Sequence, residues 1–389
     1  VAVLPDSAFC FRRGEVLSDG HLVLRDLCVV NDKIAAQPSA NAIEIDAHGL
    51  IIAPGFIDLQ INGGMGVDFT SAPDQVEHVA KELPRYGVTA FLATVVSSSL
   101  EDYRNILPRI RATQQGSSSA RLLGMHLEGP FLHPERCGAH EGAFLRDCTE
   151  NCFSGLSGVR LITLAPELRG AREMIAALTA QNIAVSLGHS QASYDEGAEA
   201  VKNGASMVTH LFNAMAPFHH RQPGLIGLAL THQKLYYSII ADGLHAHPAA
   251  VQLAWRARPE GLVLVTDAMA AMGMQEGQFT LGTKKVHVED RRAYIVDEIG
   301  ASANTSTNAS ASILAGSTLT MDQAVRSLVT FTGCSKARAL EAASRRPAEV
   351  LGIGTKGALA IGTDADIVLL NQDLQIVATY IGGRCAWSR

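Results

Sequence analysis

No apolar run in this 389-residue sequence approaches the ~20 residues that a bilayer-crossing helix needs, so no such span is expected. No block of basic residues appears against a formal charge of −6, which argues against a nucleic-acid groove. No charged start followed by an apolar centre marks a secretion signal, and a cytoplasmic location is expected. The seven cysteines (Cys10, Cys28, Cys137, Cys148, Cys152, Cys334 and Cys385) are odd in number and scattered. That spacing speaks against a disulfide framework and leads us to expect reduced thiols. Cys148 and Cys152 lack the second pair that would complete a tetrahedral metal site. P-loop, dinucleotide fingerprint and His-Glu-x-x-His helix are all missing.

Hydrophobic residues make up 47% of the chain, enough for a large core, and the length suits one large domain with a smaller one. Short strand-like runs fill residues 1–50, and residues 356–370 return to strands separated by tight Gly turns. Between them the rhythm changes. Eight apolar runs, at 51–61, 88–96, 122–128, 159–165, 183–189, 207–212, 236–241 and 262–267, read as parallel strands. Segments 75–86, 168–181, 192–202 and 248–257 show helical spacing, as does a weaker segment, 103–112, interrupted by Pro108. The expected class is α/β: a (β/α)8 TIM-like barrel with a small β-sandwich domain formed by both chain termini. The barrel would span 51–355 and the small domain 1–50 with 356–389. Beyond the barrel strands, 279–296 alternates like a hairpin and 318–331 and 336–343 read as helices. Residues 300–312 read as a low-complexity loop whose sequons at Asn304 and Asn308 we treat as chance matches.

Glu128, His189, His210 and Asp267 each close one of the apolar runs. Parallel strands that deliver such side chains at their C-terminal ends are how a barrel builds an active site. A carboxylate with two imidazoles suits a divalent metal with an open position for water, and Asp267 suits the base that takes the water's proton. Any one of the four alone would read as a satisfied polar residue; together they point to a metal-dependent hydrolase. His126, on the same face two residues before Glu128, reads as a supporting or core residue rather than a ligand. His140, after Gly138-Ala139, could polarise a carbonyl. Arg221, in a loop rich in histidine, suits a phosphate or carboxylate, and His245 could add a donor; both are equally readable as solvated loop residues.

Seven ordered motifs carry a resemblance. They are Pro54-Gly-Phe-Ile-Asp-Leu-Gln-Ile-Asn-Gly-Gly64, His126-Leu-Glu-Gly-Pro-Phe131, Gly188-His-Ser190, Thr209-His-Leu-Phe-Asn-Ala-Met215, Ala241-Asp-Gly-Leu-His245, Thr266-Asp-Ala268 and Leu314-Ala-Gly-Ser317. Together they resemble the N-acetylglucosamine-6-phosphate deacetylases, a family of the amidohydrolase superfamily. The resemblance implies hydrolysis of an acetamide on an amino-sugar phosphate, giving glucosamine 6-phosphate and acetate. It implies one divalent metal ion per subunit, zinc being the first choice, held by Glu128, His189 and His210. It implies Asp267 as general base and then acid, and His140 as the group that polarises the acetyl carbonyl. Ala139, Asn213, Ala214, Arg221, His245, Leu314, Ala315 and Gly316 would hold the substrate. A homodimer is implied, with part of the phosphate site reaching across the interface. Where many amidohydrolases begin the barrel with His-x-His, we place Asp58-Leu-Gln60, so a single-metal site with Gln60 as a neutral neighbour is expected. A related amidohydrolase acting on the galacto epimer or a cyclic amide, or a non-catalytic scaffold, are the other readings.

Overall fold

The computed structural model describes residues 8–149, 157–296 and 313–389. The chain opens with β1 (Phe9–Ser18), β2 (His21–Val30), β3 (Lys33–Ala35), β4 (Ile43–Asp46) and β5 (Ile51–Pro54). β6 (Phe56–Ile61) starts the barrel, followed by a small ribbon, β7 (Gly63–Gly64) and β8 (Val67–Asp68), then α1 (Val76–Glu82), β9 (Val88–Val96), α2 (Leu100–Arg111) and β10 (Arg121–Glu128). β11 (Val159–Leu164), α3 (Ala171–Ala180), β12 (Ala184–Leu187), α4 (Tyr194–Lys202), β13 (Met207–Val208), α5 (Gly224–Thr231), β14 (Tyr236–Ile239), α6 (Pro248–Ala257) and β15 (Leu262–Leu264) continue it. A three-stranded antiparallel sheet, β16 (Gly277–Leu281), β17 (Lys284–Glu289) and β18 (Arg292–Ile295), follows. Then come α7 (Met321–Thr332), α8 (Lys336–Ala343), α9 (Arg345–Val350), β19 (Ile367–Leu370), β20 (Ile376–Ile381) and β21 (Arg384–Ser388).

The parallel strands run in the order β6, β9, β10, β11, β12, β13, β14, β15, each hydrogen-bonded to the next. Single bridges finish the ring: Asp267 N–H donates to Gln60 O (2.8 Å) and Asn62 N–H to Ala268 O (2.7 Å). This is the expected barrel, nearly closed. Strands from both chain ends form a second sheet with its own core, in which Phe9, Phe11 and Tyr380 stack edge-on or tilted. Among the described residues, no helix is long and apolar enough to cross a membrane.

Four expectations change. The apolar run at 51–61 is two strands: β5 pairs with β1 and β19 in the terminal sheet, and only β6 enters the barrel. Gly55 is the crossing point, where a Cβ would collide with the Thr89 side chain. Both halves are equally apolar, so hydropathy hides the break that Pro54-Gly55 makes. Second, Pro108 does not interrupt α2, which runs on to Arg111. Ser99 caps it by accepting from Asp102 N–H (3.0 Å), and Tyr103, Ile106, Leu107 and Ile110 bury one face. Third, α5 and α9 were not expected; Gly224-Leu-Ile-Gly-Leu-Ala-Leu-Thr231 is apolar all round and shows no helical period. Fourth, Cys10 and Cys28 lie opposite one another on β1 and β2, with Cα atoms 4.1 Å apart, and form a disulfide. Their pairing follows from the strand register and is invisible in linear spacing. The low-complexity segment 300–312, with both sequons, lies outside the described residues, as does Cys152.

Candidate metal centre and active site

Glu128 is the last residue of β10, while His189, His210 and Asp267 lie two or three residues beyond β12, β13 and β15. His189, His210 and Asp267 have left-handed backbones, with φ of 51°, 29° and 48°. For residues with a Cβ this conformation costs roughly 1–2 kcal/mol each, and such strain concentrates at functional sites. All four side chains are buried at the mouth of the barrel.

One ligand-type atom from each of Glu128, His189 and His210 lies within 4.8 Å of the others. Glu128 Oε1 is 3.2 Å from His189 Nε2 and 3.1 Å from His210 Nε2, and the two Nε2 atoms are 3.1 Å apart. His189 Nδ1 donates to the Arg136 carbonyl (2.8 Å), so its Nε2 carries the lone pair. A lone pair held against another ring nitrogen and a carboxylate oxygen is unfavourable until a cation sits among them. The donor set therefore fits a divalent metal. Burial alone would raise the Glu128 pKa; without a cation, it is held well below the ordinary carboxylate range only where the imidazoles also carry Nε2 protons that donate to it, the place a metal would take.

Asp267 sits beside this trio. Asn62 Nδ2 (2.8 Å) and Gln60 Nε2 (3.2 Å) both donate to its Oδ1, and no described group bonds its Oδ2. Burial, and then the charge of Glu128, push its pKa up to about 8 in the metal-free protein. A cation among the trio would offset the charge of Glu128 and favour the anionic form that a base needs. The strand face carrying Gln60 and Asn62 corrects the expected pairing. Asp58 lies deeper and accepts from Thr266 Oγ1 (2.5 Å), and the pair that meets the acids is Gln60 and Asn62. Asn62 stands in the first motif, two residues beyond Gln60 on the same strand face, and that spacing is the signal that could have found it.

His140 faces Glu128 from the loop after β10, with Nε2 3.7 Å from Oε2. The backbone N–H of Ser97 donates to its Nδ1 (3.2 Å), which leaves the proton on Nε2. Burial, reinforced by the neighbouring His189, lowers the His140 pKa to about 3. The ring is therefore a neutral N–H donor aimed at the site. His245 is fixed from the other side: its Nδ1 donates to Asp242 Oδ2 (2.7 Å), while Asp242 Oδ1 accepts from Leu244 and His245 N–H (both 2.8 Å). His126 hydrogen-bonds Thr94 and Thr163 and, among the described residues, none of the trio, consistent with a core or supporting role.

A cavity of about 440 Å³ opens over these groups. His245, Asn213, Ala214 and Ala139 line it, as do Leu314 and Gly316. Two expected residues are placed elsewhere. Ala315 is fully buried and its N–H goes to Ala293 O (2.9 Å), so only Leu314 and Gly316 keep N–H groups unbonded to described residues. Arg221 is exposed and outside the cavity, its Nη1 3.1 Å from His220 Nε2.

The fold and this constellation match known proteins. The amidohydrolase family profile matches residues 51–386. The N-acetylglucosamine-6-phosphate deacetylase of Bos taurus is 48% identical over 360 residues, covering 88% of this chain and 85% of its own. That of Homo sapiens is 47% identical over 97% of this chain and 95% of its own. The N-acetylglucosamine-6-phosphate deacetylase structure from Thermotoga maritima superposes with a TM-score of 0.87 at 32% identity, covering 98% of this chain and 100% of its own. The chain belongs to the amidohydrolase family, within the group formed by the N-acetylglucosamine-6-phosphate deacetylases.

Proposed function

We propose that this chain hydrolyses the acetamide of N-acetyl-D-glucosamine 6-phosphate to D-glucosamine 6-phosphate and acetate. The observation that carries the reading is the convergence of Glu128, His189 and His210 beside Asp267, whose Oδ2 is left unbonded. The relatives' shared name supports the substrate. Glu128, His189 and His210 would hold one divalent ion, zinc in our reading, which supplies Lewis acidity for water and carbonyl. Asp267 takes the proton of the attacking water at Oδ2. The His140 Nε2–H donates to the acetyl oxygen as negative charge develops there. The water oxygen bonds to the carbonyl carbon, the C–N bond breaks, and Asp267 returns its proton to the departing amine. Asn213, Ala214 and His245, with Ala139 and the turn at Leu314 and Gly316, would hold the sugar phosphate.

Arg221 lies outside its own cavity, and we read the chain as a homodimer in which it would serve the partner's site. A phosphorylated amino-sugar substrate favours a cytoplasmic setting. The experiment is acetate release from N-acetylglucosamine 6-phosphate alongside metal analysis. Asp267→Asn is expected to lower turnover by about 10²–10⁴-fold while metal content is retained. Turnover at the wild-type rate in that variant would sink the role of Asp267, and absence of acetate release from the metal-loaded protein would sink the function.

A further inference from the structure

The opposite end of the barrel holds a second cavity, of about 310 Å³, where β14 and β15 begin. Two of its lining residues, Arg258 and Arg346, are 5% and 4% exposed. Among the described residues no carboxylate lies within ion-pair distance of either guanidinium. Arg258 Nη1 bonds the His232 carbonyl, and Arg346 Nη1 donates to Leu262 O (2.7 Å). Tyr237 and Trp255 lie 5.8 and 5.6 Å from the two Cζ atoms, offering ring faces but no countercharge. The Nε–H of Arg258 is buried without an acceptor, as is that of Arg338 on the same wall. Gly261 is what admits the Arg258 guanidinium, since a Cβ there would collide with it.

The acids around the cavity are already engaged. Glu260 accepts from Arg338 (2.7 Å), Glu349 from Arg345 (2.9 Å) and Tyr236 (2.9 Å), and Glu341 and Asp19 lie 3.6 and 3.7 Å from Arg345. Lys234, at the exposed rim, has no ion pair among the described residues. Five basic groups (Lys234, Arg258, Arg338, Arg345, Arg346) thus face four acidic ones (Asp19, Glu260, Glu341, Glu349), and the excess lies at the buried end. Buried charges in proteins are ordinarily paired, because leaving water without a partner is costly. Burial drags the Arg346 pKa down to about 10 and lowers that of Arg258, against the partial opposing pull of Glu341 on Arg346 and of Glu260 on both.

We propose that this cavity is an anion site, distinct from the catalytic centre, that takes a phosphoryl group against Arg258, Arg346 and Arg338. Two guanidiniums without a carboxylate partner offset a phosphate of charge near −2, and their Nη2 groups, unbonded among the described residues and not sealed off as the Nε groups of Arg258 and Arg338 are, supply donors for its oxygens. Free phosphate and a small phosphate monoester share that chemistry, and the cavity has room for either. The site goes beyond the proposed deacetylation and does not depend on it.

The test is calorimetric titration of the metal-loaded protein with inorganic phosphate and, in parallel, with glycerol 3-phosphate. Phosphate occupying the catalytic cavity is reported separately by its inhibition of acetate release. A second binding event, with a Kd different from that inhibition constant, is expected. The double variant Lys234→Ala/Arg338→Gln, which leaves the carbonyl-binding arginines in place, is expected to weaken that event tenfold or more without changing the inhibition constant. Arg346→Met should abolish it if the variant melts cooperatively. A single event matching the inhibition constant, or a second event unmoved in the double variant, overturns the proposal. A protein that shows the second event but releases no acetate would refute the function and leave the anion site standing.

Discussion

The carboxamide of Gln60 spans the two acids of the site, donating from one nitrogen to Glu128 Oε1 at 2.8 Å and to Asp267 Oδ1 at 3.2 Å. It therefore sets the spacing between the proposed metal-holding acid and the proposed base. Gln60→Ala is expected to leave the fold intact, because Asn62 still holds Asp267, and to lower metal affinity about 10–100-fold, as loss of a ligand's supporting partner does. Competition with a chelator of known affinity measures this. An unchanged affinity would show that the bridge is incidental.

Asp242 acts on the cavity through His245. Its carboxylate would be raised by burial, but His245 and two backbone N–H groups hold it below the ordinary value, so it stays anionic and keeps a proton on His245 Nδ1. The Nε2 side is then what His245 offers a ligand. In Asp242→Asn the amide can face Nδ1 with its oxygen or its nitrogen, and the ring's proton is no longer fixed by a charge. We expect KM for the phosphorylated sugar to rise about tenfold or more, from loss of part of a charge-assisted bond, with kcat changed little. N-acetylglucosamine without the phosphate should be affected less. An equal effect on both sugars would remove His245 from the phosphate site.

The strand ends were legible because each catalytic side chain closes an apolar run: Glu128 follows Leu122-Leu-Gly-Met-His-Leu127, and Asp267 follows Leu262-Val-Leu-Val-Thr266. The eight barrel strands were legible for the same reason. What orients those side chains was not. The Ser97 contact that sets the His140 tautomer is a backbone N–H, which every non-proline residue carries. The Arg136 carbonyl that orients His189 is equally silent in sequence. Asn62 stood in the first motif with no role assigned, and motif order does not say that its loop carries Arg221 outside the cavity of its own chain. Local pattern reports which face a residue occupies; it does not report which backbone groups a distant loop brings to it.

Asp58 is fully enclosed beneath the site, and burial pushes its pKa up to about 7. The unfolded chain ionises an aspartate near 3.9, so between about pH 4 and 7 the folded state binds a proton that the unfolded state has released. Stability from this group is thus full below about pH 4 and is lost as pH rises to about 7, by up to about 4 kcal/mol. Asp58→Asn keeps an oxygen for the Gln60 and Thr266 N–H groups and can donate to Thr266 Oγ1. Relative to wild type, the variant is expected to gain stability between pH 5 and pH 8. Urea unfolding at both values measures it, and parallel pH dependence in the two proteins would show that Asp58 does not titrate in this range.

Arg221 gives the dimer a functional test. It is exposed and outside the cavity of its own chain, next to an exposed Phe218. If it serves the partner's site, an Arg221→Ala subunit keeps a working Asp267 but denies its partner the guanidinium. An Asp267→Asn subunit is inactive but still supplies Arg221. Mixing the two variants under conditions that exchange subunits creates, in each mixed pair, one cavity with both groups. Random pairing in a two-fold dimer makes half the dimers mixed with one intact site each, so activity should return to about a quarter of wild type. The two homogeneous variants should stay low at matched concentration. Recovery no greater than the sum of the separate variants would place Arg221 with its own chain or outside catalysis. Sedimentation of the same mixture checks that exchange occurred, so a failure of complementation bears on Arg221 itself.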